Sequence, residues 1–418
     1  MAAAQSELSF EKELFTYTKE NNCKQVKHLL TNKKISVNSV DADGMTPLQH
    51  AADTGTYEMC KLLLDCGAEI NLTKHFAQYS ALTFAALSGN LDVVNLLLQS
   101  GASTTSVSSN NKTAAQMATS VGNHYIASVI DNFIHMNEVQ HCCRLHIMPR
   151  KPKSASNLTP VMHKMSMLTN INPVRLALFS QNNLCILEHI EKVIEVFNLM
   201  SDRFYKREGK ELISLKCFNI AYFLEECLIF LQFLIAKHKA EKEKSSENES
   251  DVKKESEKIL TKNCLDPFIK YLIKGDHRGF PIALEELLRR GIQQYCHLEN
   301  NYHLQLVITL KSVRLGAEPS AVSIINGAVD GHRGMDRSLR CATCGDAFAK
   351  KKCSSCKSVQ YCDKTCQKLH WFTHKTQCRI FARTMPRKRA AEFENKSCSG
   401  DKKPTFSNSD GAGCSHHE

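Results

Sequence analysis

Several common chemistries have no foothold in these 418 residues. Between Asn172 and Val329 there is no Gly-rich phosphate loop, no H-E-x-x-H and no nucleophile elbow, so nucleotide-driven, zinc-protease and acyl-transfer chemistry lack their usual residues. The N-terminal MAAAQSELSF has neither a basic-then-apolar leader nor a Met-Gly start, and the C-terminal Ser415-His416-His417-Glu418 is no prenylation box. The expectation is therefore an intracellular, cytoplasmic chain without a lipid anchor. An apolar run long enough to raise a membrane question occurs at Cys217 to Ile235, but Glu225 and Glu226 interrupt its centre. Carboxylates at mid-span are expensive in lipid, so the run is predicted to be a core helix without membrane insertion. Tryptophan is nearly absent: Trp371 is the single one.

Cysteine, by contrast, is plentiful, with 19 in the chain. Seven of them and one histidine fall between Cys341 and Cys378 in the order C-x2-C-x8-C-x2-C-x5-C-x3-C-x7-H-x3-C. The other twelve are scattered along the chain, the pattern of a reducing compartment. Cys341, Cys344, Cys353, Cys356, Cys362, Cys366, His374 and Cys378 supply eight ligands, enough for two tetrahedral zinc ions. A C-x2-C turn brings two thiolates to one ion, and Cys362/Cys366 and His374/Cys378 follow at helical spacing. His370 competes with His374 as the histidine ligand, and spacing alone leaves the pairing of the eight open.

This spacing resembles the MYND zinc finger over its whole length, and RING and PHD fingers divide their ligands differently. The resemblance implies interleaved pairs: Cys341, Cys344, Cys362 and Cys366 on one zinc, and Cys353, Cys356, His374 and Cys378 on the other. It also implies a groove for short proline-containing peptides at Gln367 and Trp371, which lie four apart and share one helix face. Lys350, Lys351, Lys352, Lys364 and Lys368 would favour acidic residues flanking such a peptide. The competing role for Trp371 is to plug the space between the zinc sites.

The net charge of +11 is unevenly placed. Met1 to Gln140 holds 9 Lys+Arg against 13 Asp+Glu, whereas Arg340 to Lys403 holds 16 against 5. Two zinc ions on seven thiolates would offset part of the second surplus, so no nucleic-acid partner is expected.

The first third of the chain repeats. Thr46-Pro47-Leu48-Gln49-His50-Ala51-Ala52, Gly55, Leu62-Leu63-Leu64 and Gly67-Ala68 recur 34 residues later as Ser80-Ala81-Leu82-Thr83-Phe84-Ala85-Ala86, Gly89, Leu96-Leu97-Leu98 and Gly101-Ala102. Thr113-Ala114-Ala115 with Gly122 marks a weaker third copy, and Leu29-Leu30 with Val37-Asn38 an earlier one. These units are similar to ankyrin repeats, about four over residues 8–135 with degenerate outer copies, which a solenoid needs as caps. Such a stack offers its concave face and hairpin tips to a protein. In the middle tip Phe76 and Tyr79 are the candidate partner-binding aromatics, unless they fold back on the stack.

A linker is predicted over 136–171, on the strength of the Pro149-to-Ser154 run, and a helical region over 172–335. Within that region Leu187, Ile190, Ile194 and Phe197 mark one buried stripe, and Lys237 to Lys258, with almost no apolar residue, is predicted to be disordered. A disordered basic tail is predicted over 381–418. The expected fold is thus mainly α: an ankyrin solenoid, a helical middle, a two-zinc finger and the tail.

Ankyrin repeats followed by a C-terminal MYND finger resemble the family of ankyrin-repeat and MYND-domain proteins. The resemblance implies a non-enzymatic adaptor in the trafficking of signalling proteins to the cilium. It names membrane signalling proteins and an immunophilin-type prolyl isomerase as partners, and assigns no catalytic residue. A lysine methyltransferase is disfavoured, because no SET-like Asn-His-x-Cys follows the finger. The alternative is a nuclear transcriptional corepressor or scaffold, for which Pro386-Arg387-Lys388-Arg389 would be the localisation signal.

Overall fold

The computed structural model describes residues 2–32, 35–146, 158–208, 210–243, 263–330, 340–346 and 349–384. The chain begins with four helix pairs: α1 (Ala2–Lys19) with α2 (Cys23–Asn32), α3 (Pro47–Asp53) with α4 (Tyr57–Asp65), α5 (Ala81–Ser88) with α6 (Leu91–Gln99), and α7 (Ala114–Ser120) with α8 (His124–Asp131). Each inner helix starts for a chemical reason. The Thr46 hydroxyl accepts from the Gln49 amide and the Gln49 side chain accepts from the Thr46 amide, with Pro47 at the first helical position, where its missing N–H costs nothing. Ser80 caps α5, and Thr113 with Gln116 repeats the reciprocal cap on α7.

Neighbouring repeats are tied by side-chain amides. Nδ2 of Asn90 donates to the Gly55 carbonyl at 2.7 Å, and Nδ2 of Asn123 donates to that of Ala86 at 3.0 Å. Gly55 has φ +73°, and an added Cβ would lie 2.9 Å from the Asn90 amide, so both conformation and close approach demand glycine there. The buried faces of the eight helices form one apolar cluster running from Leu14 to Phe133.

A second, larger cluster runs from Ile134 to Cys378. Its first members correct the predicted linker. Met136–His146 (α9) and Leu158–Ser166 (α10) are helices, and they bury Val139, Cys142, Cys143, Leu158, Met162 and Met165. The proline-punctuated run from Pro149 to Ser154 lies outside the described residues. The middle continues through α11 (Pro173–Asn182), the short α12 (Cys185–Glu188), α13 (Ile190–Glu208), α14 (Glu211–Glu243), α15 (Asp266–Leu272), α16 (Ile282–Gln294), α17 (Asn301–Lys311) and α18 (Ala321–Asp330). Leu187, Ile190, Ile194 and Phe197 are all buried.

By length and composition α14 could cross a membrane between Glu211 and His238. Here it packs along α13 and buries Ile213, Cys217, Ile220, Phe223, Leu224, Cys227 and Leu231. It stays helical through Glu243, so the predicted disorder from Lys237 does not begin there; 244–258 lies outside the described residues.

Two junctions join the units. At the first, Nδ2 of Asn132, just past the last repeat, donates to the Val329 carbonyl of α18 at 2.6 Å, and Nζ of Lys216 on α14 donates to Oδ1 of Asn132 at 3.1 Å. Lys216 is fully buried, and burial pulls its amine down to about 7. At the second, the finger is docked on the middle. Asn170 donates to the Cys344 carbonyl at 2.9 Å and to Asp346 at 2.7 Å, while Nε of Arg175 lies 3.0 Å from the same carboxylate. The finger is a two-stranded hairpin, β1 (Lys351–Lys352) and β2 (Gln360–Tyr361), followed by α19 (Lys364–Thr384), which takes in the first residues assigned to the tail. Residues 385–418, including Pro386 to Arg389, lie outside the described residues.

Candidate functional site

The finger is built from two tight turns and a helix. In the first turn the Gly345 amide donates to the Cys341 carbonyl at 2.9 Å, with Gly345 at φ +75°. In the second the Lys357 amide does the same to Cys353 at 3.0 Å, and Lys357 itself takes the left-handed conformation at φ +56°. Each turn presents its two thiols in one direction. Cys362 leaves β2, Asp363 accepts from the Cys366 amide at 2.8 Å to start α19, and Cys366 stands on the first turn. His374 and Cys378 are one turn apart further along the helix, on its buried face.

These eight side chains gather into two groups: Cys341, Cys344, Cys362 and Cys366, and Cys353, Cys356, His374 and Cys378. Tetrahedral zinc, with bonds of about 2.3 Å to sulfur and about 2.0 Å to nitrogen, sets S–S edges near ~3.8 Å and S–N edges near ~3.5 Å. In the first group Cys344 stands 3.5 Å from Cys362 and 3.9 Å from Cys366. In the second Cys353 is 3.7 Å from Cys378, and Sγ of Cys356 is 3.4 Å from Nε2 of His374. Donor types and spacings therefore fit two structural zinc ions, whose coordination would be closed and would leave no position for catalysis.

His370 joins neither group. Its Nδ1 lies 3.1 Å from the Tyr361 hydroxyl, and burial beside His374 lowers its basicity to about 4, which keeps the ring neutral and able to accept. Tyr361 and Leu369 are buried in the finger, at 0% and 2% exposed.

Trp371 is left outside. It is 42% exposed, so it is not the plug of the finger. With Gln367, Lys364 and Lys368 on α19, and Cys353, Ser354 and Ser355 of the second turn, it lines a concavity of about 430 Å³. The helix thus supplies an indole, an amide and two ammonium groups, and the turn supplies hydroxyls opposite. Lys350, Lys351 and Lys352 are exposed on the hairpin. The wall formed by Ser354 and Ser355 was not legible beforehand, because nothing in the spacing says which turn faces the helix.

In the ankyrin stack the two tip aromatics separate. Phe76 is 79% exposed, lying against the buried His75 ring at 4.1 Å. Tyr79 is half-buried, edge-on to Phe84 at 5.6 Å, and its carbonyl accepts from Nε2 of Gln49 at 2.8 Å. Phe76→Ala should leave the melting temperature within about 1 °C, since a side chain exposed in the folded state contributes little burial. Tyr79→Ala should cost about 1–2 kcal/mol in denaturant unfolding. Equal losses would mean that Phe76 is also a packing residue.

Residues 14–108 match the model for ankyrin repeats, in three copies, and residues 341–378 match that for the MYND finger. The chain is 27% identical over 369 residues to Dauer abnormal formation protein 25 of Caenorhabditis elegans, covering 87% of this chain and 89% of the worm protein. Its finger is 51% identical over 43 residues to the Zinc finger MYND domain-containing protein 10 homolog of Drosophila melanogaster, 10% of this chain and 9% of the fly protein. Its repeats are 34% identical over 102 residues to Ankyrin repeat and SAM domain-containing protein 6 of Rattus norvegicus, 24% of this chain and 12% of the rat protein.

Proposed function

We propose that this chain, which joins ankyrin repeats to a MYND finger, is a non-enzymatic adaptor that holds one protein on its repeats and a proline-containing segment on its finger. The observation that carries the reading is the Trp371–Gln367 groove. A half-exposed indole beside an amide is suited to an extended proline-rich strand, whose rings pack on the aromatic face while the amide pairs with its backbone. Closed zinc coordination in the same finger supports a recognition module over a catalytic one.

The resemblance to ankyrin-repeat and MYND-domain proteins extends the proposal to the trafficking of signalling proteins toward the cilium, with membrane signalling proteins and an immunophilin-type prolyl isomerase as partners. The exposed Phe76 tip supplies a contact for a folded protein of either kind.

The test of the groove is titration calorimetry of the zinc-loaded full chain with a proline-containing peptide carrying flanking acidic residues. Trp371→Ala should weaken binding at least tenfold while two zinc ions remain bound. Raising the salt should weaken the wild-type interaction modestly, because the surrounding lysines are exposed and screened. Unchanged affinity in Trp371→Ala would remove the groove. For the cellular reading, a tagged chain should concentrate at the ciliary base or shaft; accumulation in the nucleus that is lost on changing Arg387, Lys388 and Arg389 to alanine would favour the corepressor alternative instead.

A further inference from the structure

Away from the finger, the described residues contain a third set of metal-capable donors. Asp202 lies on α13, and Cys296 and His297 lie in the connection between α16 and α17; their candidate ligand atoms are all within 4.8 Å of one another. We propose that Asp202, Cys296 and His297 form a third metal site, open to solvent and suited to zinc or a similar borderline divalent cation.

The three side chains are positioned before any ion arrives. The His297 ring stacks on Tyr205 of α13 at 4.2 Å between centroids and 15° between planes, and its Nε2 lies 2.7 Å from Oδ1 of Asp202. The connection that carries it is pinned at both ends. Tyr295, buried just before Cys296, shares its hydroxyl with Ser214 at 2.8 Å and Asn300 at 3.0 Å, and the Asn300 amide donates back to the His297 carbonyl at 3.1 Å. His297 is only 10% exposed at its side chain, whereas Asp202 is 47% exposed and Cys296 faces solvent, so the ring is fixed and the other two donors can adjust.

A tetrahedral ion would set oxygen and nitrogen about 3.3 Å apart, an opening of the present contact that the exposed carboxylate can make. Lys206 holds the other Asp202 oxygen at 3.4 Å and is 64% exposed, whereas Oδ1 is engaged by Nε2 of His297 at 2.7 Å, so an ion would enter by replacing that bond. A thiolate, an imidazole and a carboxylate together favour zinc over calcium or magnesium, which take oxygen ligands. Three protein ligands leave the fourth position to water, unlike the closed coordination of the finger. Binding releases the Cys296 thiol proton to solvent, and the Nε2 proton now shared with Asp202 must leave that nitrogen, so that the neutral His297 ring carries its proton on Nδ1.

The test uses the full chain with its finger filled with zinc, titrated with cobalt(II). Wild type should take up one further equivalent, with visible bands of tetrahedral cobalt and a sulfur-to-cobalt charge-transfer band, while magnesium should not compete. Cys296→Ser should remove the charge-transfer band, and His297→Gln should weaken uptake at least tenfold. Cys66→Ser, which alters another exposed cysteine, should change neither. Wild-type uptake of no third equivalent, or a third equivalent kept intact by both Cys296→Ser and His297→Gln, would overturn the site. Should His297→Gln lose helical signal, Cys296→Ser and Asp202→Asn decide between presence and absence of the site, since both positions are exposed enough to change without unfolding the chain.

Discussion

Cys362→Ser should strip the finger of zinc and release its whole fold while sparing the ankyrin stack. Cys362 stands 3.5 Å from Cys344 in a four-thiol group, and serine cannot replace the soft donor. Binding of a structural zinc supplies on the order of 10–16 kcal/mol, far more than the apolar surface that a domain of this size can bury. The damage should not stop at the finger. Tyr361, Leu369 and the ligand cysteines belong to the same apolar cluster as the helical middle, and Asn170 and Arg175 are bonded to the first turn. The repeats have their own cluster, from Leu14 to Phe133. The expected readout is zinc content below two per chain, rapid amide exchange across α19 and faster exchange in α11 and α15, with protection in α3 to α6 unchanged. Two zinc ions retained in the variant, or equal loss of protection in the repeats, would contradict this.

Lys216→Met should make the protein more stable at neutral pH. The amine is fully buried, with Asn132 as its hydrogen-bond partner, and its pKa falls from 10.5 to about 7. Between these values the unfolded chain holds a proton that the native state has shed, so native stability rises with pH across that window. Below pH 7 both states are protonated and the full penalty of burial is present. A gap of that size corresponds to at most about 5 kcal/mol. Methionine keeps the unbranched stem but leaves Oδ1 of Asn132 unpaired, which costs about 1–3 kcal/mol. A net gain of about 2 kcal/mol at pH 7 is the expected result, shrinking toward pH 10 as the native protein relieves its own penalty. Denaturant unfolding of both proteins at pH 7 and pH 10 measures it. A destabilised variant at pH 7, or a difference that does not vary with pH, would show that Lys216 is held charged by its surroundings.

The parts of this fold that were legible are those whose signals are local. Thr46-Pro47 marks a helix start wherever it stands, and eight ligands at fixed spacing announce two metal ions without any knowledge of the rest. The two helices read as linker show the limit. Met136–His146 spells MNEVQHCCRLH, and its buried stripe is Val139, Cys142 and Cys143, two of which count as hydrophobic only because their thiols are packed away from water. Within Leu158–Ser166 it is flexible methionines, Met162 and Met165, that supply most of the packing. Docking of the finger was not readable at all. Asn170 and Asp346 are separated by 176 residues, and both look like ordinary surface residues until the fold brings them to 2.7 Å. The concavity proposed to take a peptide was half legible: the spacing of Gln367 and Trp371 placed them on one face, but only the fold shows that the indole is left outside.

The clasp at Asn132 and the bonding of Asn170 and Arg175 to the finger have a consequence for how two partners are held. Each of the two proposed recognition surfaces is anchored to the same helical middle, one at either junction. A partner that carries both a folded domain for the repeats and a proline-rich segment for the groove would meet a fixed span, not a loose tether. Its second contact would then form at a high effective concentration when its own spacer matches that span, and would gain nothing when the spacer is too short to reach. Spacer length, as much as motif sequence, would set which bivalent partners bind with avidity.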